Sequence, residues 1–272
     1  EPFNLFVAFL TGRGDFKGRT YYGAITRIIP TIVLVTIVFF TQDIFILVAS
    51  YFITYTITRF VALHYSTRHV PKDGETDQAA LGFGKHLSVM GILNTVATSL
   101  DSILIFHFGG AAILAGYYLA MVPYKQVANA FSSLSILALP KLSVQDTHNL
   151  LRTLPQKVWR LGLVVILALL AYMISAPILF SLLYPQYISY VYLSMFFMLQ
   201  ILFVPANIFY AAITAQGDKN KLYGLSVANA TGRIVLLLIL TPLYGLWGAA
   251  AAIVINGLMI AILKTYTFYK LR

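Results

Sequence analysis

Apolar residues run through this chain in long blocks, broken by short polar connections. Eight blocks are each about the length needed to cross a bilayer: 22–40, 44–62, 86–106, 111–139, 161–183, 188–215, 222–240 and 245–266. Little chain remains for a water-soluble domain. The pattern predicts an all-α polytopic membrane protein with eight transmembrane helices. The fourth and sixth blocks are longer than a bilayer requires, so tilt or protrusion is expected there.

The connections differ sharply in charge. Thr41-Gln42-Asp43, His107 to Gly110, Tyr184 to Tyr187 and Thr241 to Gly245 carry neither Lys nor Arg. The alternate segments carry Arg13, Lys17 and Arg19, then Arg68, Lys72 and Lys85, then Lys141, Arg152, Lys157 and Arg160. Lys219, Lys221, Lys264, Lys270 and Arg272 follow. The positive-inside rule places both ends of this chain in the cytoplasm, in an inner or plasma membrane. The segment from Lys141 to Arg160 is expected to lie along the inner surface as an amphipathic helix, basic residues toward the headgroups.

Composition narrows the class. Mean hydropathy is +0.81, with 59% hydrophobic and 10% charged residues and a net charge of +10. That charge is a topology signal, and no nucleic-acid partner is expected. There is no cysteine, hence no disulfide and no thiolate metal site. No phosphate-binding loop, HExxH or carboxylate cluster is present, so neither an enzyme nor a cofactor is expected.

A weak repeat organises the chain. Thr11 to Asp15 and Thr214 to Asp218 both read T-x-x-G-D, each ahead of two blocks joined by a short turn. Parallel repeats related by an axis along the membrane normal are implied. The expected division is 1–62 as the last pair of helices of an N-terminal six-helix bundle, 63–85 as a cytoplasmic linker, and 86–272 as a complete C-terminal six-helix bundle. Equal repeats further imply about 120 preceding residues.

Several stretches together carry a resemblance. They are Leu100-Asp101-Ser102, Phe108-Gly109-Gly110, Ala115 to Ala120, Leu139 to Ser143, Ala215 to Lys219 and Leu243 to Ala250. In that order and spacing the chain resembles the polysaccharide and lipid-linked oligosaccharide flippases of the multidrug/oligosaccharidyl-lipid/polysaccharide exporter superfamily. The resemblance covers the C-terminal two thirds of a twelve-helix member. It implies a central cavity, alternating access, and a polyprenyl-diphosphate-linked glycan as cargo, moved from the cytoplasmic to the outer leaflet. Membrane lipids, H+ or Na+, and polysaccharide-assembly enzymes are the partners it brings with it. The competing readings are an ion-coupled multidrug or cation antiporter of the same superfamily and a peptidoglycan-precursor lipid flippase. A membrane scaffold without transport is the competitor from another class.

Charges inside apolar blocks point to the site, because a charge at a helix centre costs about 2.5–3.5 kcal/mol even on a lenient scale. Arg27, Lys125 and Arg233 are expected to form a cationic cavity for a diphosphate, with Asp101 an ion-coupling group or half of a structural ion pair with Lys125. Arg27 and Arg59 have a second reading as snorkelling side chains. Polar stripes at helical spacing support a cavity: Asn94, Thr98 and Asp101; Tyr118, Lys125, Asn129 and Ser132; Gln200, Asn207 and Thr214; Ser226, Asn229 and Arg233. Tyr117 and Tyr118 are candidates to stack on sugar rings. The fifth block reads as lipid-facing scaffold. Pro30, Pro123, Pro177 and Pro205 lie within blocks, where each removes a backbone hydrogen bond.

Overall fold

The computed structural model of the chain describes residues 5–12, 14–68, 78–143, 147–216 and 219–270. Every described element is helical: α1 (Leu5–Gly12), α2 (Phe16–Val38), α3 (Ile44–Thr67), α4 (Gln78–Ser143), α5 (Thr147–Leu183), α6 (Val191–Met198), α7 (Ala206–Ala215) and α8 (Lys219–Tyr269). Short 3₁₀ stretches, Pro185–Tyr190 and Leu199–Phe203, flank α6. Among the described residues, six helices are long and apolar enough to cross a membrane: Phe16–Val38, Ile44–Thr67, Gly91–Phe131, Asn149–Leu183, Pro185–Phe203 and Asn220–Tyr269. By the length and composition of those helices, this is an all-helical, multi-pass membrane protein.

Two of the six are folded back on themselves. Gly110 in α4 (φ 76°) and Gly245 in α8 (φ 56°) leave helical geometry at positive φ, which glycine adopts without the Cβ clash of other residues. The contacts confirm the reversal. Asp101 accepts a hydrogen bond from Tyr117, 16 residues on, whereas a straight helix would separate them by about 24 Å. Asn256 likewise reaches Asn229, 27 residues back. At the tip of α8, a Cβ added to Gly248 would collide with the backbone carbonyl of Leu240. Each hairpin therefore turns within a single glycine.

The chain divides into two compact units, Glu1–Asp77 and Gln78–Arg272. In the first, α2 starts at an Asp15 cap, whose carboxylate accepts from the Gly18 amide at 2.8 Å and suits the positive end of the helix. Asp43 caps α3 in the same way, accepting from the Phe45 amide. Phe6 and Leu10 of α1 pack on Ala62 of α3, with Tyr22 of α2 alongside. Of the repeated T-x-x-G-D turns, Gly217 and Asp218 lie outside the described residues, as do residues 69–77 of the expected linker. The side chains of Lys85, Ser132 and Lys141 lie outside them too.

The second unit is built around the two hairpins. Ile105, Tyr117, Ala120 and Met121 of α4 interlock with Leu237, Ala249, Ala250, Ala252 and Ile253 of α8, and Leu193 and Phe197 of α6 close the cluster. Alanine at the contact lets the α8 backbone approach closely, which is how helices associate where burial from water supplies no drive. Along α5, Val165, Leu169, Tyr172, Ala176 and Phe180 face inward, while Leu163, Leu167, Leu170, Ile174, Ile178 and Leu182 are exposed. A helix apolar on both faces belongs in lipid.

One expectation is corrected here. The segment from Lys141 to Arg160 is not a free surface helix: from Thr147 onward it is the first part of α5. Leu150 and Leu154 are fully buried against Phe209 and Phe268. Their apolar stripe is answered by protein, while Arg152, Lys157, Trp159 and Arg160 stay exposed on the other face.

Candidate functional site

Asp101 is 3% exposed, and every feature of its surroundings answers the cost of a buried carboxylate. Its Oδ2 accepts from the Tyr117 hydroxyl at 2.8 Å and from Arg233 Nη2 at 3.1 Å. Its Oδ1 accepts from the Ser102 amide at 2.8 Å and from the Ser102 hydroxyl at 3.3 Å. Arg233 comes from the first limb of α8, so the ion pair ties the two hairpins together. Asp101 stands nine residues before Gly110 and Arg233 twelve before Gly245, so the pair lies roughly 13 to 18 Å from the two turns along their helices.

The ion pair is not the one expected from sequence. Lys125 stands apart from Asp101, exposed, with its ammonium 5.4 Å from the centroid of the Tyr118 ring. Helical spacing puts Tyr118 and Lys125 on one face, two turns apart, while Arg233 reaches the carboxylate from another hairpin. Tyr117 is a second correction. It is wholly buried, bonded to Asp101 and set edge-on to Phe197 at 5.3 Å, so no sugar can stack on it. Tyr118 keeps 44% exposure and shares a hydrogen bond with Ser102.

Two polar cavities meet at the ion pair. One, of about 370 Å³, is lined by Thr98, Asp101, Ser102, Tyr118, Lys125 and Asn129, among others. The other, of about 200 Å³, is lined by Asn207, Asn229, Asn256 and Lys264, among others. Tyr124, Gln200, Arg233 and Ile253 line both. Most of the expected polar stripes converge here: Thr98 and Asp101 from α4's first limb, Tyr118, Lys125 and Asn129 from its second, Gln200 and Asn207 from the 185–215 segment, and Asn229 and Arg233 from α8.

The smaller cavity is cross-linked by polar contacts. Lys264 donates to Asn207 Oδ1 at 2.8 Å, and Asn256 donates to Asn229 Oδ1 at 2.9 Å. Three buried polar atoms of its lining have no partner among the described residues: Arg233 Nε, Gln200 Nε2 and Asn256 Oδ1. Buried groups of this kind are ordinarily bonded, so a cavity collecting three of them is suited to a polar ligand. The Lys264 ammonium also lies 5.2 Å from the centroid of the Tyr210 ring, a cation–π distance.

Lys264 and Asn256 were missed in the sequence. In the sequence Lys264 reads as one of the cytoplasmic charges, and Asn256 stands alone in an apolar block. Their separation of eight residues was the available signal, since positions i and i+8 fall about 80° apart, within one broad helix face. Gly257, Ile260 and Ala261 fill that face between them. Arg27, the third expected cation, belongs to the first unit, where it is exposed on α2. Arg59, also in the first unit, stacks its guanidinium over Tyr55 at 3.9 Å, so its stem runs along an aromatic one turn back. Pro205 marks a break: Val204 and Pro205 form a turn between the 3₁₀ stretch and α7.

Comparison with known proteins finds no matching family, no similar curated protein and no similar solved structure.

Proposed function

We propose that this protein is a secondary transporter that flips a polyprenyl-diphosphate-linked oligosaccharide or polysaccharide unit from the cytoplasmic to the outer leaflet by alternating access. The observation that carries the reading is the charge balance of the paired cavities. Lys125, Arg233 and Lys264 line them against one carboxylate, Asp101. Asp101 offsets Arg233, which leaves a net positive lining deep in an apolar bundle, where it suits an anionic cargo. Diphosphate oxygens are acceptors only, and Arg and Lys are donors only. An antiporter for cationic drugs calls for the opposite balance.

In this reading each limb of the two hairpins crosses the bilayer, the segment 185–215 crosses once as a broken helix, and eight passes result. The hairpin tips and the start of the 185–215 segment face outward, and the basic ends of α5 and α8 face the cytoplasm. The chain then resembles the end of one bundle followed by a complete second one. Broken helices around a midplane site are the usual machinery of such transporters.

Translocation of a glycan lipid in vesicles containing the full-length protein tests the proposal. Wild type is compared with Lys125→Ala, Arg233→Ala and Arg233→Lys, each checked for normal insertion. Loss of transport in both Ala variants, with partial rescue by Lys at 233, is expected. Normal transport in both would remove the cationic site and favour the drug-antiporter reading.

A further inference from the structure

The second unit also carries an apolar groove of about 490 Å³, bounded by Leu202, Pro205, Phe209, Ile262, Thr265 and Tyr266, among others. It lies back to back with the cavity at Lys264, because Phe203 and Ala261 line both. The partition is thin. A Cβ added to Gly257 would lie 3.1 Å from the Phe203 ring, so that ring rests on a glycine, with Ala261 one turn further along α8.

The backbone that holds the ring is irregular. Phe203 ends the 3₁₀ stretch Leu199–Phe203, and Pro205, which has no amide hydrogen, follows two residues later. Such stretches have poorer hydrogen bonding than an α-helix and commonly mark hinges. A cation-lined cavity and an apolar groove are thus separated by one aromatic side chain on a weak backbone.

We propose that this partition is a lateral portal for a polyprenyl-phosphate lipid. The headgroup lies in the smaller cavity against Lys264, and the chain passes between Phe203 and Ala261 into the groove. The proposal rests on the cargo reading above and adds the place where the lipid tail leaves the protein. Head and tail of such a lipid need opposite surroundings joined through one opening, and this juxtaposition supplies them. Inside, a phosphate oxygen can take the place of Asn207 Oδ1 as acceptor for Lys264, while Arg233 Nε and Gln200 Nε2 offer donors without a partner among the described residues. Charge-assisted bonds of this kind are about twice as strong as neutral ones.

The test is photolabelling of the full-length protein in nanodiscs of zwitterionic phospholipid, using a polyprenyl phosphate with a diazirine on its chain. Labelled residues are mapped by mass spectrometry. Labelling of Leu202, Ile262 and Tyr266 is expected, falling at least about tenfold with excess unlabelled polyprenyl phosphate but not with polyprenol or inorganic diphosphate. Lys264→Gln is expected to weaken labelling by about tenfold, the loss of one strong charge-assisted contact. Ala261→Trp, which fills the passage, abolishes labelling in the groove.

Equal labelling of the outward residues Leu167 and Ile174 on α5 would overturn the portal. So would competition by phosphatidylglycerol equal to that by polyprenyl phosphate, which would make the groove a site for bulk anionic lipid. Because labelling reads binding alone, the two proposals separate. Groove labelling without translocation keeps the portal and removes the transport reading. Translocation unaffected by Ala261→Trp, with no groove labelling, does the reverse.

Discussion

Arg233 and Asp101 stand 132 positions apart in the chain and meet at 3.1 Å, with the carboxylate nearly inaccessible and the guanidinium side chain 19% exposed. The pair is a polar fastening between two hairpins that also interlock through the apolar cluster of Ile105, Tyr117, Leu237 and Ala249. Three of the four hydrogen bonds on the carboxylate come from its own hairpin, and the fourth comes from Arg233.

Breaking one side of that pair should cost more than removing both. Asp101→Leu alone leaves Arg233 without its counter-charge, and a loss of about 3 kcal/mol is expected. Combining Asp101→Leu with Arg233→Met should recover a large part of it, since an apolar pair of similar bulk needs no charge compensation. A double-mutant cycle of unfolding in detergent measures the coupling. Strict additivity of the single effects would show that the pair does not hold the hairpins together.

Tyr117→Phe keeps the ring against Phe197 and removes only the hydroxyl that donates to Asp101. A bond to a charged group predicts a loss of about 1.5–3 kcal/mol. Tyr172→Phe deletes a bond between neutral groups, to Ser194, and should cost about 1 kcal/mol. Equal melting shifts for the two would contradict the ranking.

Gly116 is packed against Tyr190, and a Cβ there would overlap the ring. Gly116→Ala should destabilise by about 1–3 kcal/mol through overpacking. Gly162 in α5 has open space where a Cβ would go, so Gly162→Ala should stabilise by up to about 1 kcal/mol through helix propensity. Opposite signs in thermal melting are the expected result.

Gly110→Ala and Gly245→Ala force a Cβ into positive φ at the two hairpin tips, at a cost of about 1–2 kcal/mol each. Open space surrounds both positions, so the effect comes from backbone conformation and not from crowding. Melting of the two variants beside Gly224→Ala, a helical site with equal room, separates the causes.

Lys264→Gln removes the smaller cavity's lysine charge while keeping a donor toward Asn207. Glycan-lipid transport should fall by about tenfold, which corresponds to about 1.4 kcal/mol at the rate-limiting barrier. Transport unchanged in this variant, alongside loss in Lys125→Ala, would place the cargo anion in the larger cavity alone.

The helical, multi-pass character was legible in the residues alone, because the bilayer sets the length of an apolar block and the cost of a charge within it. So were most of the polar stripes, since 3.6-residue periodicity is local; Asn94, Thr98 and Asp101 share a face whatever surrounds them. Turn positions were legible too, with Gly110 and Gly245 at the ends of apolar blocks. Partner choice was left to the tertiary structure. Asp101 takes Arg233 over Lys125 because pairing depends on how two hairpins are rotated against each other, and no spacing within one helix encodes that. The same reason hid Tyr117 in the core beside an exposed Tyr118, and turned Lys264 from a topology marker into a cavity wall. Adjacent helical residues point about 100° apart, and only packing decides which direction is inward.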